Sequence, residues 1–340
     1  MPIEYIIPNA FLTPHCVLGE GPTYLSSTDE LYYLDIPRQY VSRVSLSDCT
    51  VVSESIASFN TPDAPAIEAF KTWTEGTASI ETTKYPEPIG VLCLVKSSPK
   101  QFLVGARHGF AIATFGVPEL KYKVDVYTED AEKHAIMRFN DGNVDPAGRF
   151  LAGTMVEEDG YRPPIGTLYR LEVDGTCAPV LENCQIPNGL CWSADTKTMF
   201  HSDSPSKTVW AYDYDVATGT PSNKRALVKI EGEGMVPDGM TISAQGDLFI
   251  AVWGGAKVVQ HDSMTGECKA IYHLPGKKIT CPVFGGKDLD ELFVTSAAMN
   301  DSLEHVWTEA DGEADLGGEI FRFKVPGHSG VPRGVWEGEL

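Results

Sequence analysis

Apolar and polar residues alternate along this chain, or gather in short apolar runs, and almost nowhere recur at the 3.6-residue spacing of a helix. The runs "LYYLDI", "FLVGA", "TLYRLEV", "TVWAYDYD", "LFIAVWG" and "LFVTSA" are rich in β-branched and aromatic residues and are bounded by Gly, Pro, Asp and Ser. The pattern predicts an all-β protein. One short helix is expected, at "PAIEAFKTW" (65–73), inside a Thr-, Pro-, Ala- and Glu-rich stretch from 54 to 88 that reads as an inserted loop.

The runs repeat. "PNGLCWSADTKTMFHSDS" from Pro187 lies over "PDGMTISAQGDLFIAVWG" from Pro237 at an offset of 50 residues, each with Pro, Asn or Asp, Gly, a large apolar residue, Ser-Ala and a strand. "RFNDGNVDPAGRFLAGTM" (138–155) joins with Asn140 opposite Asp238, and "GEGPTYLSSTDELYYLDI" with Glu20 opposite Asn188. Weaker copies near 89 and 281 complete a series at 20, 89, 140, 188, 238 and 281. A unit of this length with several short strands is the signature of a β-propeller, and six copies predict six blades. The expected domain is a single six-bladed propeller over 1–340, with the 54–88 insertion in its first blades and with loops 156–166 and 298–318 as pocket walls. Ring closure is expected from residues near 4–12 pairing into the blade that contains "GEIFRFKV".

In a radial repeat, equivalent positions lie at one depth around one axis, so Glu20, Asn140, Asn188 and Asp238 converge. All four offer oxygen and none a thiolate. That donor set suits Ca²⁺, Mg²⁺ or Mn²⁺, and Zn²⁺ also accepts carboxylates. Asn-Gly and Asp-Gly are also hairpin turn signals, but glutamate is no turn former and Glu20 holds the same frame position. Arg138, two residues before Asn140, either shares its side of a strand and holds a substrate oxygen, or is a buried arginine paired with an acid such as Glu157 or Glu158.

Composition narrows the function classes. With 27 Lys and Arg against 47 Asp and Glu, the formal net charge of −20 disfavours nucleic acid and anionic membrane surfaces and favours cations. The N-terminal "MPIEYIIPNAFLTPH" has no basic region and no apolar run of signal-peptide length, so an intracellular, cytoplasmic protein is expected. Eight cysteines without a Cys-x-x-Cys read as reduced thiols, and the histidines fall into no ligand spacing. There is no G-x-S-x-G elbow, H-E-x-x-H, phosphate-binding loop or dinucleotide fingerprint.

Seven segments, "LGEGP", "RFNDGNVDPAGRFLAGTM", "PNGLCWSAD", "DSPSKTVWAYDYDVATG", "VPDGMTI", "AVWGGAKVVQHDSMTGE" and "FGGKDLDELFVTSA", resemble the family of senescence marker protein, gluconolactonase and luciferin-regenerating enzyme, which includes regucalcin. The resemblance runs in order from about residue 16 to about 325. It implies one divalent metal in the channel of a six-bladed propeller, Ca²⁺ first with Zn²⁺, Mg²⁺ or Mn²⁺ as others, held by Glu20, Asn188 and Asp238. It implies that Arg138 and Asn140 contact substrate and that Glu158 lines the pocket. The implied activity is hydrolysis of a sugar lactone such as glucono-1,5-lactone, with Asp238 as general base. The alternatives are a non-catalytic calcium-binding protein, or a hydrolase of other esters or phosphotriesters on the same scaffold.

Overall fold

Six consecutive antiparallel meanders account for most of the strands in a computed structural model of the chain, which describes residues 1–72, 79–96, 98–157, 162–300, 302–303 and 315–339. The first holds Gly19–Leu25, Glu30–Asp35, Tyr40–Ser45 and Glu81–Lys84. The second holds Val91–Val95, Gln101–Gly105, Gly109–Thr114 and Val117–Asp125, and the third Met137–Val144, Phe150–Val156, Gly166–Leu171 and Cys177–Cys184. Pro187–Trp192, Thr198–Asp203, Thr208–Asp215 and Thr220–Lys229 form the fourth. The fifth holds Val236–Ile242, Asp247–Trp253, Lys257–Asp262 and Cys268–His273, and the sixth opens with Lys278–Gly285, Glu291–Ala297 and Phe321–Lys324. The fifth and sixth share one bridging pair, Trp253 with Lys278.

Burial falls from the first strand of each meander to the last, so the apolar first strands are central and the polar fourth strands peripheral. Each first strand touches the next, and the sixth returns to the first. Glycine permits this approach: a Cβ on Gly189 would meet the backbone nitrogen of Met240 at 2.7 Å, and one on Gly239 the sulfur of Cys281 at 2.5 Å. The apolar faces between neighbouring meanders form the core, as where Phe249, Tyr272, Phe284, Phe321 and Phe323 pack together. All eight cysteines are free thiols, and five are buried. Among the described residues no helix is long and apolar enough to cross a membrane.

Two expectations about the early chain are corrected. Residues 67–72 are a strand, Ile67–Thr72, and not part of a helix; they pair with Val51–Ile56, and Ala69 pairs with Phe323. Ile67 and Ala69 alternate into the core beside Phe321 and Phe323, so packing decided a short apolar run that periodicity could not. The stretch 54–88 is therefore more than an inserted loop, since it also supplies Glu81–Lys84 to the first meander. With the outer edge of Phe321–Lys324 taken, Ile3–Ile6 pairs instead in parallel with Cys268–His273 of the fifth meander. Only Phe11 and Leu12 reach the expected sheet, through backbone hydrogen bonds to Ile320.

Candidate functional site

The central strands are irregular near their N-terminal ends. Register shifts fall between Glu20 and Thr23, Phe139 and Gly142, Pro187 and Leu190, Pro237 and Met240, and Ile279 and Pro282. Such bulges release two residues from pairing and re-aim their side chains. Asn140, Asn188 and Asp238 are each the first released residue, and Glu20 sits one place earlier. Asp141 is the second residue released in the third meander, and its charge acts on both Glu20 and Asp238. Asp141 was not singled out in the sequence. The available signal was a carboxylate where the fourth and fifth meanders carry Gly189 and Gly239.

A chain of hydrogen bonds orients the polar groups. Arg138 Nη1 donates to Asn140 Oδ1 at 2.9 Å and to the Phe139 carbonyl at 2.8 Å. Asn140 Nδ2 donates to the Pro187 carbonyl at 3.0 Å and to Asn188 Oδ1 at 3.2 Å. Asn188 Nδ2 donates to Ser204 Oγ at 2.9 Å, and Ser204 Oγ donates to the Pro237 carbonyl at 2.7 Å. The Asn188 amide is thereby held with its nitrogen toward Ser204 and its oxygen toward Asn140.

Glu20, Arg138, Asp141, Asn188 and Asp238 are all buried. Burial pushes the Glu20 carboxyl up to about 8, the Asp141 charge adds to the rise, and the Gly21 N–H and Arg138 oppose it. Burial, then the charges of Glu20 and Asp141, lift Asp238 well above the ordinary carboxylate range. Asp141 is raised by burial, against the Gly142 N–H and Arg333. Burial draws the Arg138 guanidinium down to about 10. The mutual repulsion marks three carboxylates that share one low-dielectric space. Among the described residues no cationic side chain lies within ion-pair distance of Glu20, Asp141 or Asp238. The Glu157 partner is Arg107 and not Arg138.

Buried carboxylates without cationic partners, beside an amide oxygen, are a donor set that fits a hard divalent cation. Among the described residues no group of three or more His, Cys, Asp and Glu side chains is placed to hold a metal ion. Glu158 lies outside the described residues, as does much of the 156–166 loop and most of the 298–318 loop. A cavity of about 280 Å³ at the opposite end of the central strands, lined by Asn143, Trp192, Ser243, Phe284 and Arg333 among others, shares no residue with this site.

One serine and one histidine meet away from this site. Ser243 Oγ lies 3.1 Å from His328 Nδ1, and His328 Nε2 lies 3.5 Å from Asp247. The Gln260 amide nitrogen, however, faces His328 Nε2 at 2.9 Å while donating to Asp247 at 2.7 Å. A neutral His328 therefore carries its proton on Nδ1 and donates it to Ser243 Oγ, which also accepts from the Asp247 N–H at 3.1 Å. The serine is a double acceptor that ties down the C-terminal segment, not a nucleophile with a base.

The SMP-30/gluconolactonase/LRE-like region profile matches residues 18–298. The regucalcin of Gallus gallus is 37% identical over 76% of this chain and 84% of its own length, and that of Oryctolagus cuniculus 32% over 97% and 96%. Among solved structures, a luciferin-regenerating enzyme superposes with a TM-score of 0.78 at 25% identity, over 97% of this chain and 99% of the other. A calcium-binding protein, regucalcin, from Agrobacterium tumefaciens gives 0.76 at 22% identity over 98% and 99%, a likeness of fold. The chain belongs to the SMP-30/gluconolactonase/LRE-like family.

Proposed function

We propose that the chain is a divalent-metal-dependent hydrolase of sugar lactones of the glucono-1,5-lactone type, yielding the aldonic acid. On this reading the six meanders are the blades of a six-bladed propeller, and the cation sits on its axis. The observation that carries it is the convergence of Glu20 and Asp238, buried and, among the described residues, without a cation at ion-pair distance, with the oriented Asn188 oxygen and with Arg138 and Asn140 alongside. The family description names gluconolactonase, and the relatives named regucalcin support Ca²⁺ as the first cation to test.

Glu20, Asn188 and Asp238 would hold the ion. When bound, it supplies Lewis acidity to a carbonyl oxygen and to water. Asp238 takes a proton from the attacking water and returns it to the ring oxygen as the acyl C–O bond breaks. Arg138, held in place by its bonds to Asn140 and Phe139, donates to the oxyanion of the tetrahedral intermediate. Asn140 aligns both Arg138 and Asn188 through its two amide atoms.

A second reading, a calcium-binding protein without turnover, draws on the third buried carboxylate, Asp141, which adds negative charge below the site. One experiment separates them: proton release from glucono-1,5-lactone by chelator-treated protein, with Ca²⁺, Mg²⁺, Mn²⁺ and Zn²⁺ restored in turn and spontaneous hydrolysis subtracted. Metal-restored acid production is expected. Tight calcium binding without acceleration by any metal overturns the enzymatic reading.

A further inference from the structure

Ser204 ends the hydrogen-bond chain that starts at Arg138, and it lies outside the set that the repeat selected. It opens the helical turn Ser204–Ser206 directly after Thr198–Asp203 and is 4% exposed. Two backbone bonds fix that turn. The Ser204 N–H donates to the Ile186 carbonyl at 3.1 Å, and the Lys207 N–H donates to the Ser204 carbonyl at 2.9 Å. The hydroxyl is thereby held between Asn188 and Pro237, which belong to the first strands of the fourth and fifth meanders.

The direction of every bond in the chain is dictated by its two ends. A guanidinium has donors and no acceptor, so Asn140 turns its oxygen to Arg138 and its nitrogen to the Pro187 carbonyl and to Asn188. A peptide carbonyl only accepts, and a hydroxyl has one proton, which Ser204 gives to Pro237. What Ser204 has left for Asn188 is a lone pair, which takes the amide nitrogen and rejects the amide oxygen. Asn188 is therefore locked from both sides, with a donor against its oxygen and an acceptor against its nitrogen. Reversing the amide would set nitrogen against nitrogen at Asn140 and oxygen against oxygen at Ser204.

We infer that Ser204 is a positioning residue of the cation site: by keeping its proton on the Pro237 carbonyl it holds the Asn188 oxygen in place as a ligand. The same hydroxyl ties the residue before Asp238 to the Asn188 side chain, so one serine aligns two ligands from neighbouring meanders. This rests on the metal reading of Glu20, Asn188 and Asp238 and concerns how that site is held, not which substrate it takes. In Asn188→Asp both arms of the side chain carry oxygen, so there is no wrong orientation and no need of the serine. Packing alone would not produce that dependence.

The test is calorimetric titration of the chelator-treated full chain with Ca²⁺, or with whichever of Mg²⁺, Mn²⁺ and Zn²⁺ it binds best, and it reads affinity instead of turnover. Ser204→Ala should weaken binding about tenfold or more, as removal of a group that orients a ligand does. In the Asn188→Asp background the same change should alter affinity less than about threefold. Unchanged affinity in Ser204→Ala overturns the inference. So does an equal loss in both backgrounds, which would make Ser204 a strand contact and not an orienting group. Melting in chelator reports whether Ser204→Ala folds. Should it not, the Asn188 side-chain amide protons of the unaltered protein decide: exchange at least about a hundredfold slower than in an exposed asparagine is expected, and equally fast exchange overturns the inference. Failure of the unaltered chain to bind any of the four cations removes the metal reading, and the role of Ser204 with it.

Discussion

His201 is a base in a place where it cannot be charged. It lies in Thr198–Asp203, opposite Leu190 and Trp210, is buried, and has no partner at Nε2. Burial, helped by Lys224, draws its pKa down to about 3. The unfolded chain takes up this proton as pH falls through about 6.5, and the folded chain does not until about 3, so stability is lost across that window. The loss from this one group approaches roughly 4 kcal/mol by pH 3.5. Urea unfolding at several pH values should show the slope. His201→Phe keeps a ring, cannot take the proton, and should flatten it; an unchanged slope would mean other groups dominate. At the site, Asp238→Asn keeps size and oxygen but removes the base, and should lower kcat at least about a hundredfold with metal saturating. Unchanged turnover would sink the proposed mechanism. That Asn140 meets Asn188, and that Glu20 and Asp238 act on each other, was legible in sequence because these positions share a frame, whereas Asp141 was not, because the fourth and fifth meanders carry glycine at its place.

The element that makes the site is the bulged first strand, and its tolerance is narrow. A methyl group on Gly189 would press on the backbone of Met240 and on the Asp238 carbonyl at 2.8 Å, in the neighbouring strand. Neither can yield without moving Asp238. Gly189→Ala should therefore cost about 1–3 kcal/mol by overpacking and weaken metal binding at the same time. Denaturant midpoints and calorimetric metal titration would report the two effects; destabilisation with unchanged metal affinity would show that the strand contact does not position the ligand. These glycines look like turn signals in sequence, since Asn-Gly and Asp-Gly commonly close hairpins. In the fold they are points of strand contact. Sequence patterns identified the strands flanked by such signals, but not Ile67–Thr72, whose short apolar run fits a helix as well as a strand and whose partner Phe323 is far along the chain.

At the scale of the molecule, distant segments are brought together twice: once where the first strands of the meanders meet, and once where Ile67–Thr72 joins the last meander and Ile3–Ile6 the fifth. The contact of Asn140 with Asn188 was readable from the repeat, because the two hold equivalent positions in successive meanders. The joining of Ile67–Thr72 and Ile3–Ile6 was not, because a free sheet edge leaves no local pattern to show which segment covers it. Convergence has an energetic consequence. Burial and the neighbouring charges raise the Glu20 and Asp238 carboxyls, so each holds its proton more tightly than a free carboxyl does. On the proposed reading a divalent cation would displace those protons and tie the meanders together through shared ligands. Binding to the folded chain alone stabilises it by about 2.7 kcal/mol when the free ion is a hundredfold above its Kd. In a chain of this size that corresponds to a Tm shift of roughly 5 °C. Chelation should lower the melting temperature by this order, and restoring the preferred cation should return it. A chain carrying both Glu20→Gln and Asp238→Asn has lost both carboxylate ligands, so its melting temperature should not respond to chelator or metal. A response of the usual size in that variant would place the cation somewhere other than the axis.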